Sequence, residues 1–325
     1  MAATQMISTV GNTAVISVEN FGDTTIEAFI ASRHSSPNTA KTYRNSIQQL
    51  LKFFVAKSIM APTTADVDNF INMLRADKKS DSTLRLYTTV TKLFFAYLEK
   101  QGVYKDVAAD IAPLKLRKAP THKKKSLTDA QAKKLLAAVK GNSVIALRDK
   151  AIIALALCTG LRTCEISRAN VGDFQEADGY WTLDVQGKGH VTADATVKVA
   201  EQVAELILEY LNLRGNVNDD EPLFVSASHN VSWKANSYGV RLSEQSIGKM
   251  IKHYMKSVGI NDKKITAHST RHYAATTAIK AGIDIREVSA MLRHTSIVVT
   301  SVYLHDLSVQ TRRAELAVAD ALFCA

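Results

Sequence analysis

Residues 267–305 read AHSTRHYAATTAIKAGIDIREVSAMLRHTSIVVTSVYLH. Helical periodicity predicts three consecutive helices here, over 269–281, 284–293 and 296–303. His268 and Arg271 stand at i and i+3 on the start of the first, so an imidazole and a guanidinium share one face. His294 and Tyr303 follow, nine residues apart, with Tyr303 on the next helical segment. Upstream, Thr159-Gly160-Leu161-Arg162 places an arginine directly after an apolar helix, and Lys188 stands between two glycines in a tight turn.

Two arginines, two histidines, one lysine and one tyrosine are the side chains that phosphoryl transfer without a metal requires. Guanidiniums bind non-bridging phosphate oxygens in fork geometry. Histidines handle protons near neutral pH. A phenol forms a phosphotyrosine ester that conserves the energy of the broken strand. Taken singly, each residue has an ordinary reading. Arg162 and Glu165 make a surface ion pair, Lys188 is a turn lysine, His294 is a half-buried histidine, and Tyr303 is one tyrosine of ten. Their joint order and spacing carry the chemistry.

Around this stretch the pattern is mostly helical. Helices are expected over 128–140, 143–158, 161–168, 200–213 and 243–258, with Thr128 as cap and Gln131 at the capping-box position. Trp181 to Val185 and Thr196 to Val199 predict a hairpin-like pair of strands on either side of Gly187-Lys188-Gly189. Between 24 and 110, apolar residues recur at spacings of three and four, as in Tyr43, Ile47, Leu50, Leu51 and Phe54. Four or five short helices are expected there, the second capped by Ser36 or Asn38 and the third opening at Thr64 or Asp66. Residues 1–22 read as a loose arm with one short strand.

Residues 114–125, LKLRKAPTHKKK, hold six Lys or Arg and no acid. A dense like-charge run does not pack, so this is a linker, either a solvated hinge or one lying across phosphates. Lys115, Arg117, Lys118, Lys123, Lys124 and Lys125 are its candidate DNA contacts. The net charge of +10 draws the chain towards polyanions, of which nucleic acid is the commonest. Three cysteines without CxxC spacing argue against a disulfide framework or a zinc site, and Cys158, in an apolar run, is expected in the core. The N-terminus lacks a secretion signal, and no apolar run approaches the roughly 20 residues that span a bilayer. A cytoplasmic protein with no membrane partner is expected.

The quoted segments resemble the tyrosine recombinase (phage integrase) family. TGLRTCEISRANVGDF, residues 159–174, resembles its TGLR-x-x-E-x-x-x-L-x-x-x-D patch, with Ala169 in place of the usual leucine. QGKGHVTADATVKV, residues 186–199, looks like its GKG hairpin, with Lys188 as the lysine. Residues 267–305 resemble its H-x-L-R-H-x-x-A-T stretch and LGH-x-S-x-x-x-T-x-x-Y block, matching at His268, Arg271, His294, Thr300 and Tyr303 among others. Thr270 replaces a leucine, and the stretch after GKG lacks its usual arginine. Arg293 replaces the glycine before His294, a bulky cation expected to contact DNA or a neighbouring subunit, or else to lie in solvent.

The resemblance implies a mainly α fold: a helical core-binding domain over 23–113, the linker, and a mixed α+β catalytic domain with a small sheet over 126–303. It implies that Arg162 and Arg271 bind the scissile phosphate, Lys188 is general acid for the leaving 5′-hydroxyl, His268 assists proton transfer, His294 hydrogen-bonds the phosphate, and Tyr303 attacks to give a 3′-phosphotyrosine. No metal or other cofactor is implied. Family members act as four protomers on two DNA duplexes through a Holliday junction. Residues 304–325, with an apolar run from Leu316 to Phe323, then form a tail that docks on the next subunit or packs on its own domain. The chain leaves no room for an arm-binding domain, and Lys188 to His268 is too short for an integron integrase, so a simple Xer-like or transposon-borne recombinase is expected. The sequence does not name an accessory protein. The alternatives are a type IB topoisomerase, against which His268 argues, and an inactive DNA-binding protein on the same scaffold, against which the full residue set argues.

Overall fold

A computed structural model of the chain describes residues 23–112, 125–187, 192–215, 217–226, 240–301 and 303. They fall into two compact units, 23–112 and 125–303. The architecture is the mainly helical one expected, with one small antiparallel sheet. The N-terminal arm, most of the basic linker and the C-terminal tail lie outside the described residues.

The first unit is four helices, α1 (Asp23–Ala31), α2 (Pro37–Ala56), α3 (Thr64–Ala76) and α4 (Asp81–Lys100). Local chemistry sets their starts. Ser36 accepts from the Thr39 N–H with Pro37 in the first turn, and Ser80 caps α4 through the Thr83 N–H. The cap of α3 is Thr63, one residue before the expected start, and Asp66 is its reciprocal capping-box partner. The apolar stripes meet in an aromatic core, where Phe29 sits edge-on to Phe94 at 5.4 Å and to Tyr97 at 5.5 Å. Each fully buried ring of this kind stabilises the unit by about 1.5–3 kcal/mol.

The second unit is built around α6 (Val144–Thr159), which buries side chains on every face from Ala151 to Leu157. A helix apolar all round must be enclosed, and α5 (Asp129–Ala137), α8 (Glu201–Arg214), α9 (Glu244–Ser257) and α10 (His268–Lys280) pack against it. Thr128 and Gln131 form the expected capping box of α5. After α6 come α7 (Thr163–Arg168) and the sheet, then α8 to α10, α11 (Ile285–Met291) and α12 (Ile297–Ser301).

The sheet corrects the expected strand pair. It has three strands in the order β1 (Phe174–Ala177), β2 (Tyr180–Val185), β3 (Ala195–Val199), all antiparallel. The missed β1 pairs Phe174 with Leu183 and Ala177 with Tyr180. Its turn is Asp178-Gly179, both at positive φ (52° and 79°), the type I′ geometry that Asp-Gly favours in a two-residue hairpin. That dipeptide was the available signal, but FQEA is too short and polar to show a period of its own.

Cys158 is a second correction. It is exposed, not in the core, and lines a cavity of about 450 Å³ with Thr159, Lys198, Glu287 and Met291. Cys158 is a single outward-facing position between buried Leu157 and buried Thr159, which periodicity in an all-apolar run does not reveal.

Candidate active site

The site grows from the end of α6. Gly160 closes that helix in the left-handed conformation (φ 64°). A Cβ there would lie 2.7 Å from Leu292 Cδ2 and 3.3 Å from Ala274 Cβ, so only glycine admits the close approach of α10 and the end of α11. Arg271, in the first turn of α10 and 1% exposed, bridges the same gap. Its Nη1 donates to Gly160 O at 2.7 Å, and its Nη2 donates to Leu292 O. Burial, then the charge of Arg162, lowers its pKa to about 10, with Arg293 adding to the repulsion and Glu165 and Tyr303 opposing it. The guanidinium remains charged at neutral pH.

Arg162 sits at the N-cap of α7. Its backbone N–H donates to Glu165 Oε2 at 2.7 Å, and its Nη1 donates to Oε1 at 2.7 Å. The surface-pair reading is therefore half right. The ion pair exists, but Glu165 is wholly buried while the Arg162 side chain is 30% exposed. Burial pushes the Glu165 carboxyl up. The Arg293 charge and then the hydrogen bonds and charge of Arg162 outweigh it, holding the group below the ordinary carboxylate range.

Of the readings offered for Arg293, a freely solvated side chain does not hold: it is 12% exposed and turns inward, donating from Nη2 to Glu165 Oε2 at 2.8 Å and from Nη1 to Met291 O at 2.7 Å. The cause is a buried carboxylate 128 residues upstream, which no local pattern shows.

His294 follows Arg293. Its Nδ1 lies 2.8 Å from Thr300 Oγ1, and its ring is parallel to that of Tyr303 at 6.2 Å. Burial, then the charges of Arg271, Arg162, Arg293 and His268, lowers its pKa to about 4, so the imidazole is neutral at pH 7. Tyr303 is 1% exposed and packs with Ala275, Val288 and Leu292. The His272 ring meets its edge at 5.0 Å, and the exposed His268 stacks edge-on against His272 at 5.3 Å.

Arg162, Arg271, His268, His294 and Tyr303 thus converge on one neighbourhood of the second unit. Lys188 lies outside the described residues, but the strand ends flanking it are anchored. Gly187 N–H donates to Asp194 Oδ1 at 2.5 Å, and Arg168 Nη1 donates to Gly187 O at 2.7 Å. Of the basic stretch, Lys115, Arg117, Lys118, Lys123 and Lys124 also lie outside. Lys125 belongs to the second unit, its N–H donating to Lys264 O at 3.2 Å and its Nζ pairing with Asp262 at 3.0 Å. Glu165, Thr300 and His272 are not among the residues to which the sequence assigns a catalytic role. Their contacts within the site join residues that the periodicity alone does not connect.

Three guanidiniums around a single buried carboxylate leave excess positive charge beside a tyrosine and a neutral histidine. This arrangement suits binding of a phosphate diester and attack on it.

Comparison with known proteins shows the family. The pattern described as "Phage integrase family" matches residues 125–309, and "Phage integrase, N-terminal SAM-like domain" matches 23–104. The chain belongs to the phage integrase family. It is an enzyme of the tyrosine recombinase class within it. Tyrosine recombinase XerC of Thermodesulfovibrio yellowstonii is 27% identical over 279 residues, 83% of this chain and 86% of the relative. Tyrosine recombinase XerD of Proteus mirabilis is 29% identical over 290 residues, 87% and 88% of the two chains. Among solved structures, the XerH site-specific recombinase bound to a palindromic difH substrate shares the fold with a TM-score of 0.67 at 20% identity, covering 90% of this chain and 82% of that one. A lambda integrase tetramer bound to a Holliday junction gives 0.63 at 18%, covering 90% and 78%.

Proposed function

We propose that this enzyme is an Xer-like site-specific recombinase that cuts and rejoins double-stranded DNA through a 3′-phosphotyrosine at Tyr303. The observation that carries the proposal is the placement of Tyr303 beside a neutral His294 and the buried, charged Arg271, with Arg162 anchored next to them. Arg162 and Arg271 bind the non-bridging oxygens of the scissile phosphate and offset the charge that grows on them. Removing one such donor costs about 3 kcal/mol or more in the transition state, by analogy with oxyanion holes. In the tautomer that accepts from Thr300 at Nδ1, His294 keeps an Nε2–H to donate to the phosphate. His268 assists the tyrosine proton. Tyr303 Oη attacks phosphorus, the 5′-oxygen leaves, and Lys188 supplies its proton.

The wider cycle follows the family. Four protomers assemble on two duplexes, exchange one strand pair at a time through a Holliday junction, and act in the cytoplasm. The basic stretch from Lys115 to Lys125 lies along DNA, and the apolar tail docks on the neighbouring subunit. Carriage on a mobile element fits the same reading.

The test is Tyr303→Phe, which keeps the ring and removes the oxygen. On a nicked suicide substrate this variant should bind DNA and form no covalent adduct, while Tyr254→Phe and Tyr273→Phe still form it. Tyr254 is a poor rival: burial and Asp149 push its phenol up to about 12, and its hydroxyl donates to Asp149 at 3.2 Å. An adduct that persists in Tyr303→Phe sinks the assignment. Plasmid assays separate recombination from relaxation alone.

A further inference from the structure

Arg293 has no place in the family pattern and no role in the catalytic steps above. Its backbone is left-handed, with φ 53°. Its N–H donates to Ala290 O, and the next N–H, of His294, donates to Ser289 O. Those two bonds form a Schellman cap, and Arg293 occupies the position that glycine fills most easily. An arginine there is disfavoured by its Cβ, and its buried Nε has no hydrogen-bond partner among the described residues. The compensation is the bond to Glu165 Oε2.

That bond completes the carboxylate. Oε2 accepts from the Arg162 backbone N–H and from Arg293 Nη2, which fills both of its lone pairs. Oε1 takes Arg162 Nη1. Left to themselves, an arginine and a carboxylate favour a two-nitrogen fork. Here Arg162 gives Glu165 a single side-chain nitrogen, and it is the more exposed of the two arginines, 30% against 12% for Arg293. We propose that Arg293 is a positioning residue for strand cleavage: by occupying Glu165 Oε2 it confines Arg162 to one bond with that carboxylate and keeps the rest of its guanidinium open to the scissile phosphate. This rests on the reading of Arg162 as a phosphate-binding group.

The full-length Arg293→Gly variant tests it, because glycine suits the left-handed backbone and removes only the side chain. Single-turnover cleavage of a nicked suicide substrate at saturating DNA should slow by about 10- to 100-fold, the range typical for residues that orient a functional ligand. DNA affinity should stay within error. Arg293→Lys, which restores a cation near Oε2, should recover part of the rate. Combined with Glu165→Gln, the Arg293→Gly defect should be less than additive, since both act through one carboxylate. His294, faced by the charges of Arg271, Arg162, Arg293 and His268 and by Thr300 and Tyr303, should titrate at higher pH in Arg293→Gly.

Tyr303→Phe runs as the control. If it still forms adduct, the functional reading falls and this inference with it. With that control dead, a wild-type cleavage rate in Arg293→Gly overturns this inference alone. So does a defect confined to DNA affinity, which would make Arg293 a DNA contact. A defect that merely tracks the folded fraction overturns it too.

Discussion

The two units keep charge in opposite places. Among the described residues, the first buries no charged side chain. Of its buried hydroxyls, those of Ser46 and Thr88 return to carbonyls four residues back on their own helices, and its Arg44–Glu27 ion pair is solvent-exposed. The second unit buries Arg148, Asp149, Glu165 and Arg271. Arg148 and Asp149 pair with each other and tie α6 to Val225 and Tyr254. Glu165 and Arg271 belong to the candidate site. Buried charge is costly unless paired, so the first unit avoids it while the second pairs it, half in a structural tie of α6 and half where anion chemistry is proposed.

The comparison breaks most clearly at Glu165. Glu165→Ala leaves Arg293 buried without its counter-charge and should destabilise the second unit by about 3–5 kcal/mol, seen in urea unfolding. Glu27→Ala removes the corresponding partner of the first unit and should leave its unfolding midpoint where it was, because an exposed pair is screened. Equal shifts from the two substitutions would erase the contrast.

A smaller effect is expected at Gly160. The Cβ of Gly160→Ala would press on Leu292 and Ala274 in a left-handed backbone. It should cost about 1–3 kcal/mol, as overpacking does. Cleavage should fall further than stability, since Gly160 O is an anchor for Arg271. A variant that melts early yet cleaves normally would show that Arg271 does not depend on that anchor.

The last effect is a pH dependence. His294 titrates at about 4 in the folded protein, against about 6.5 in an unfolded chain. Between those values the unfolded state binds more protons, so stability rises with pH. The contribution of His294 is present above about 6.5 and is lost as pH falls towards 4. Side-chain NMR of His294 should show a neutral ring at pH 6. A midpoint near 6.5 would mean that the surrounding arginines do not act on it.

Much of the fold was legible because its causes are local. Caps at Ser36 and Thr128, the apolar stripes of α2 to α4, and the helices flanking His268 and His294 follow from residues a few positions apart. Strand β1 escaped because four residues carry too little period, although its Asp178-Gly179 turn was on view. Cys158 escaped because an all-apolar helix does not announce which of its positions faces outward.

The sequence by itself determined the chemistry available: which arginines, histidines and tyrosine occur, in what order, on which helices. Only the tertiary structure decided how they are wired. Arg271 reaches a carbonyl 111 residues away, and Arg293 reaches a carboxylate 128 residues away. The physical reason is that a buried charge takes whichever partner packing brings within about 3 Å, and chain separation does not enter that energy.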